Sequence, residues 1–257
     1  MTTEHRRIAI VTGASRRQGM GAAICRALAA QGCDIFFTYW GAYDQEQYGQ
    51  EEGGPAELLS ELQATGVRCA SLEADLSQPA TAPRIMDEVQ ANLGSPTILV
   101  NNAAYSTRDG YQRLDAGTLD AHYAVNMRGT FLLSVEFARR YSGEPGGRII
   151  NLVSGESQPM PGELAYVATK GAIAAFTITL AAELAPRHIL VNAVDPGPTD
   201  TGWISADPEF KQKLLSLAPL GRLGQPEDAA RLIAFLASEA AQWITGQIIH
   251  SRGGFGY

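Results

Sequence analysis

Short, almost unbroken apolar runs alternate along the chain with longer stretches in which apolar residues recur every three or four positions. The runs are Arg7–Val11, Asp34–Thr38, Val67–Leu72, Ile98–Asn101, Arg148–Val153, Ile189–Val194 and Gln247–His250. Continuous rather than alternating hydrophobicity is what strands covered on both faces require. Between them the spacing predicts helices over roughly Gly21–Ala30, Glu57–Thr65, Ala82–Asn92, Leu119–Tyr141, Leu164–Ala185 and Glu227–Ala237. This β-α-β-α rhythm implies an α/β fold, a single doubly wound parallel sheet of about seven strands with helices on both faces. No Pro/Gly/Ser linker divides the chain, so residues 1–257 are expected to form one domain.

Two segments exceed simple connections. Tyr39–Pro55 is polar and aromatic with no usable helical period, and Pro196–Pro219 holds one short amphipathic stretch near Phe210–Leu217. Both leave carboxyl ends of strands, where ligands sit in open α/β sheets, so each is either an ordinary loop or a lid.

Composition narrows the class. A hydrophobic fraction of 45% over 257 residues supports a large core and argues against disorder. With 20 Lys plus Arg against 27 Asp plus Glu, the net charge of −7 disfavours general binding to nucleic acid or anionic membrane. Charges interrupt the apolar stretches before bilayer length, and the amino terminus runs straight into a strand, which points to a soluble, cytoplasmic protein. Cys25, Cys33 and Cys69 are odd in number and lack metal-like spacing.

The first strand enters Thr12-Gly13-Ala14-Ser15-Arg16-Arg17-Gln18-Gly19-Met20-Gly21, where a helix begins. Such a turn lets backbone N–H groups and a helix amino terminus approach a phosphate. The second strand ends Phe37-Thr38-Tyr39-Trp40, without the acidic residue that usually holds the ribose hydroxyls of NAD. Arg16 and Arg17 are instead placed to meet a 2′-phosphate, which favours NADP(H) over NAD(H).

In this order the chain resembles the short-chain dehydrogenase/reductase family, whose Rossmann fold it would share, over essentially its whole length. The marks are the glycine turn, Asp75-Leu76, Asn101-Asn102-Ala103-Ala104, Asn126, Ser154, Tyr166-Val167-Ala168-Thr169-Lys170 and Pro196-Gly197. The closing stretch PLGRLGQPED…WITGQIIHSRGG is similar to the ketoacyl-reductase-like members.

Tyr166 and Lys170, four apart, share one helix face. A free tyrosine titrates near 10, and a neighbouring ammonium lowers that value. Tyr166 is thus expected to donate a proton to a substrate carbonyl while Ser154 hydrogen-bonds the same oxygen. The resemblance implies that Lys170 also binds the nicotinamide ribose and that Asn126 anchors a water leading to Lys170. It further implies that Gly13, Ser15, Gly19, Met20 and Gly21 cradle the phosphates. Asp75 and Leu76 would flank the adenine, and Asn102, Ala103 and Ala104 would border the adenosine ribose and the nicotinamide side. Pro196, Gly197, Thr199 and Thr201 would complete the cofactor site.

The chain departs from the family pattern in four places. The glycine turn is two residues longer than TGxxxGxG, Ala104 replaces a glycine, and the segment after the second strand is long. Ser251-Arg252 stands where Val-Asp is common, which is expected to alter subunit contacts.

The expected substrate is a small carbonyl or alcohol compound with a mostly apolar body, held by Ser154, Tyr166, Met160, Leu164 and Trp203. Phe210 adds apolar surface, and Glu156, Gln158 and Glu163 offer polar recognition. The resemblance implies a homotetramer or homodimer. An NAD-linked sugar or steroid alcohol dehydrogenase, a 3-oxoacyl thioester reductase and a non-catalytic nucleotide-binding sensor remain open.

Overall fold

The structure, a computed structural model, describes residues 6–49, 54–142, 146–155 and 159–256. The strands are β1 (Ile8–Val11), β2 (Asp34–Tyr39), β3 (Cys69–Glu73), β4 (Ile98–Asn101), β5 (Gly147–Leu152), β6 (Ile189–Asp195) and β7 (Ile248–His250). Among the described residues they form one parallel sheet in the order β3-β2-β1-β4-β5-β6-β7. The helices are α1 (Met20–Ala30), α2 (Gly41–Tyr48), α3 (Gly54–Ala64), α4 (Thr81–Asn92), α5 (Ala116–His122), α6 (Thr130–Arg140), α7 (Leu164–Leu184), α8 (Pro208–Ser216) and α9 (Pro226–Ala237).

The apolar runs explain the layering. In β1, Ala9 and Val11 enter a core with α1, α3 and α9, whereas Ile8 and Ile10 enter a second core with α4, α6 and α7. A strand buried on both faces has no place for an alternating pattern. The connections reverse direction between β1 and β4, which opens a crevice beyond their carboxyl ends. Buried polar contacts fix α6 and α7 against that sheet. Asn101 Nδ2 donates to Ser134 Oγ at 2.9 Å and to Asn151 Oδ1 at 2.8 Å, and Asn151 Nδ2 donates to Thr177 Oγ1 at 2.9 Å.

Three expectations are corrected. The segment after β2 contains α2, whose inner residues Ala42, Tyr43 and Asp44 face a cleft rather than a core; a helix so placed carries no apolar stripe. The single helix expected over Leu119–Tyr141 is α5, a wide π-helical stretch Tyr123–Gly129, and α6. Gly129 runs close to the β3–α4 loop there, since an added Cβ would lie 2.8 Å from the Leu76 carbonyl oxygen. An extra residue per turn is invisible to a 3.6-residue period. Finally, Leu164–Arg187 is apolar and long enough to cross a membrane by composition alone, with mean hydropathy 1.5. Its inner face packs on the sheet and carries Lys170, which makes it a core helix here.

Candidate active site

The glycine turn is built by contacts that exclude side chains. Gly13 has φ +74°, and a Cβ there would sit 2.7 Å from Ala103 Cα. At Gly21, the second residue of α1, a Cβ would sit 2.8 Å from Ala14 Cα. The turn is tied to the end of β4 by Asn102, whose Nδ2 donates to the carbonyls of Thr12 at 2.8 Å and Gly13 at 2.9 Å. In return, Thr12 Oγ1 accepts from the N–H groups of Asn102 at 3.1 Å and Ala103 at 3.0 Å. The backbone is thereby held open at the amino terminus of α1, where the helix dipole favours an anion.

Helix α7 brings Tyr166 and Lys170 to the same crevice. Lys170 Nζ lies 5.7 Å from the Tyr166 ring centroid and donates to the Leu152 carbonyl at 2.8 Å. Its side chain is buried, and burial pushes the ammonium down to about 8, against the opposing pull of the Asp195 carboxylate. Ser154 follows β5, and its hydroxyl donates to Met160 Sδ at 3.7 Å. The amino end of α7 is fixed by Asp109, which accepts from Leu164 N at 2.7 Å and Ala165 N at 2.8 Å. Ser154, Tyr166 and Lys170 line one cleft of about 1010 Å³ together with the glycine turn.

Residues 13–256 match the family model described as enoyl-(acyl carrier protein) reductase. The uncharacterized oxidoreductase YjdA of Bacillus subtilis is 52% identical over 99% of both chains. A short-chain dehydrogenase/reductase from Serratia marcescens superposes with a TM-score of 0.88 at 34% identity, over 98% of both chains. A blue fluorescent protein from a metagenomic library, solved in complex with NADPH, matches with the same TM-score, identity and coverage. The chain belongs to the short-chain dehydrogenase/reductase family. It is an oxidoreductase.

The turn of this short-chain dehydrogenase/reductase fits a dinucleotide: Gly13 and Gly21 leave no room for a Cβ, and the turn lines the cleft at the amino terminus of α1. Ser15, Gly19, Met20, Asp75, Leu76 and Ala104 line the same space. So do Pro196, Gly197, Thr199 and Thr201, and at the substrate end Met160 and Trp203. Trp203 stacks obliquely on Phe210, centroids 5.6 Å apart.

Of the other expected residues, Arg16 lies in the cleft and Arg17, Leu164 and Asn126 do not line it. Arg16 faces the cleft, where Nη1 donates to the Thr201 carbonyl at 2.9 Å and Nε lies 3.8 Å from Asp44 Oδ1. Arg17 does not line the cleft with it but turns to Glu57 and Glu61 of α3. Leu164 is 43% exposed at the start of α7, outside the cleft lining. The Asn126 side chain is buried between the Tyr105 backbone and Thr169 Oγ1, behind the cleft rather than in it. Glu156 and Gln158 fall outside the described residues.

The structure also adds residues. Asp44 of α2 reaches the cleft beside Arg16, where burial pushes its carboxyl up despite the Ser15 hydroxyl and the Arg16 charge. Its lack of helical periodicity hid it. Arg252 lines the cleft and pairs with Asp195. Within the protomer, the residue that departs from the family pattern at this position makes a buried ion pair. Its signal was the departure from Val-Asp, with no hint of the partner.

Proposed function

We propose that this oxidoreductase interconverts a carbonyl compound and a secondary alcohol with NADP(H), with Tyr166 as the general acid and base. The observation that carries the reading is the shared cleft of Ser154, Tyr166 and Lys170 with the glycine turn. When bound, the dinucleotide supplies the hydride that reaches the carbonyl carbon. Tyr166 passes its phenolic proton to the carbonyl oxygen, which completes the alcohol, and the Ser154 hydroxyl holds that oxygen. The Lys170 ammonium, 5.7 Å from the ring centroid, favours the phenolate left behind. Met160, Trp203 and Phe210 give the substrate an apolar wall.

NADP(H) is favoured over NAD(H) because Arg16 stands at the adenosine end without an acid closing β2. The NADPH bound by the metagenomic relative supports this assignment. A soluble, cytoplasmic homotetramer or homodimer accords with apolar residues exposed on α6 and α7, Leu132 at 39% and Ile178 at 53%. A 3-oxoacyl-[acyl-carrier-protein] reductase of Staphylococcus epidermidis, 34% identical over 96% of this chain, favours a second reading, reduction of a 3-oxoacyl thioester.

The test is a panel of ketones, aldehydes and acetoacetyl thioesters followed by NADPH absorbance, for wild type and Tyr166→Phe. Turnover of free carbonyls by wild type, lost in the variant with cofactor binding retained, is the expected result. Turnover of thioesters alone selects the second reading. Equal turnover by Tyr166→Phe overturns the role of the phenol, and no turnover of any carbonyl by wild type points to a nucleotide sensor.

A further inference from the structure

We propose that Asp195 and Arg252 form a positioning pair for the reaction, which seats the Pro196–Gly197 turn in the cleft and sets the charge facing Lys170. The inference rests on the catalytic reading of Tyr166 and Lys170 given above.

The geometry is specific to these two residues. Asp195 ends β6, and its side chain is 1% exposed; that of Arg252 is 6% exposed. Arg252 Nη2 donates to Asp195 Oδ2. The other carboxylate oxygen, Oδ1, accepts from Gly197 N at 2.9 Å, and the Asp195 carbonyl accepts from Ser251 N at 2.7 Å. One residue therefore ties the turn after β6 to the segment after β7. Gly197, at φ +62°, lies so close to the Arg252 stem that a Cβ would sit 2.8 Å from its Cγ and 2.9 Å from its Cβ. Arg252 is the floor on which the turn rests.

A buried ion pair is a weak source of stability, because desolvation of both ions offsets their attraction. What it secures is placement. Both residues line the cleft together with Lys170, so the pair is part of the chamber in which the ammonium is held. The groups around that ammonium are the Asp195 carboxylate from β6, the Leu152 carbonyl from β5 and the Tyr166 ring on α7, and Arg252 beyond β7 reaches it through its pair with Asp195. His250 of β7 stands behind, its Nδ1 3.8 Å from Asp195 Oδ2.

With Arg252 present the carboxylate is largely compensated. Without it the bare carboxylate favours the charged ammonium; without Asp195 the bare guanidinium opposes it.

The experiment measures pH profiles of kcat for wild type, Arg252→Met, Asp195→Asn, the double variant and Arg252→Lys. The limb governed by Tyr166 and Lys170 is expected to move up by about one pH unit in Arg252→Met and down by about one in Asp195→Asn. Arg252→Lys keeps the charge and leaves the limb in place. The double variant buries no unpaired charge, so it folds even where the single variants fail. It recovers the melting temperature while its kcat stays about tenfold below wild type, because without the ion pair nothing fixes the side chain that accepts from Gly197 N.

Limbs coincident with wild type in both single variants, or an equal movement in Arg252→Lys and Arg252→Met, overturn the proposal. So does a double variant with wild-type kcat. Tyr166→Phe is run alongside: if it retains turnover, the catalytic reading itself fails. If it is inactive and the limbs stand still, only the role of the pair fails.

Discussion

Asn126 holds the backbone of Tyr105 from both sides, accepting its N–H at 2.7 Å and donating to its carbonyl at 2.9 Å. The remaining amide hydrogen reaches Thr169 Oγ1 at 3.1 Å, next to Lys170. One side chain in the π-helical stretch thus joins the loop after β4 to α7. Asn126→Leu leaves the half-buried N–H and carbonyl of Tyr105 and the buried Thr169 hydroxyl without this partner, for a loss of about 3 kcal/mol. Calorimetry should show a melting temperature lower by roughly 6–12 °C. An unchanged transition would mean that the loop is anchored by other contacts.

The glycines of the turn should differ in tolerance. Gly13→Ala and Gly21→Ala drive a Cβ into backbone at 2.7 Å and 2.8 Å. At Gly19, with φ −77°, the nearest atom is the Arg16 carbonyl oxygen at 3.0 Å. Titration calorimetry with NADPH should show affinity reduced by about tenfold or more in the first two variants, since the phosphate cradle is displaced, and a smaller change in Gly19→Ala.

Selectivity between NADPH and NADH should depend on Arg16 and hardly on Arg17. Arg16 faces the cleft, whereas Arg17 pairs with α3. Arg16→Ala is expected to lower kcat/KM for NADPH by about tenfold or more, with Arg17→Ala close to wild type. Asp44→Asn removes a carboxylate that competes for Arg16 and repels a 2′-phosphate, so it should raise the NADPH/NADH ratio. Steady-state kinetics with both cofactors decides, and an equal loss in the two arginine variants would refute the asymmetry.

Lys170 should cost stability near neutral pH. Its ammonium is lowered by burial to about 8, below the unfolded value of about 10.4. The penalty for the buried charge is fully present below about 8 and is relieved as pH rises from there towards about 10.4. Lys170→Met should therefore unfold at a denaturant concentration at least as high as wild type at pH 7, with its relative advantage shrinking towards pH 10. An advantage that grows with pH would contradict the sign.

Asp109 responds oppositely. Burial pushes its carboxyl up, but the N–H groups of Ala165, Leu164 and Gly110 together outweigh it and leave the group below the ordinary carboxylate range. Its stabilisation is present above about pH 4 and is lost as pH falls through the lowered value. Asp109→Ala removes the cap of α7, at a cost of about 1–2 kcal/mol at neutral pH. In urea unfolding, the gap to wild type should narrow as the solution is acidified.

The seven apolar runs of the sequence correspond to the seven strands, with ends shifted by at most two residues. That agreement is physical: a strand covered on both faces writes its burial into consecutive residues. A glycine-rich turn after the first strand, and a tyrosine and lysine one helical turn apart, are equally local patterns and could be read along the chain, whereas what excludes a Cβ at Gly13 is the distant Ala103. α2 could not, because the face it turns inward meets a ligand cleft instead of a core. Nor could the divergence of Arg16 and Arg17, which share a composition and part only where α3 offers Glu57 and Glu61.

The sequence by itself determined the layers, the sheet and the glycine turn, since each follows from the burial and conformational demands of a short stretch. Tertiary structure alone decided what meets at a distance: Asn126 with the Tyr105 backbone, and Asp195 with an arginine 57 positions further on. An ion pair leaves no periodicity in either neighbourhood. Its partner is chosen only when β6 and β7 lie side by side and water is removed from between them.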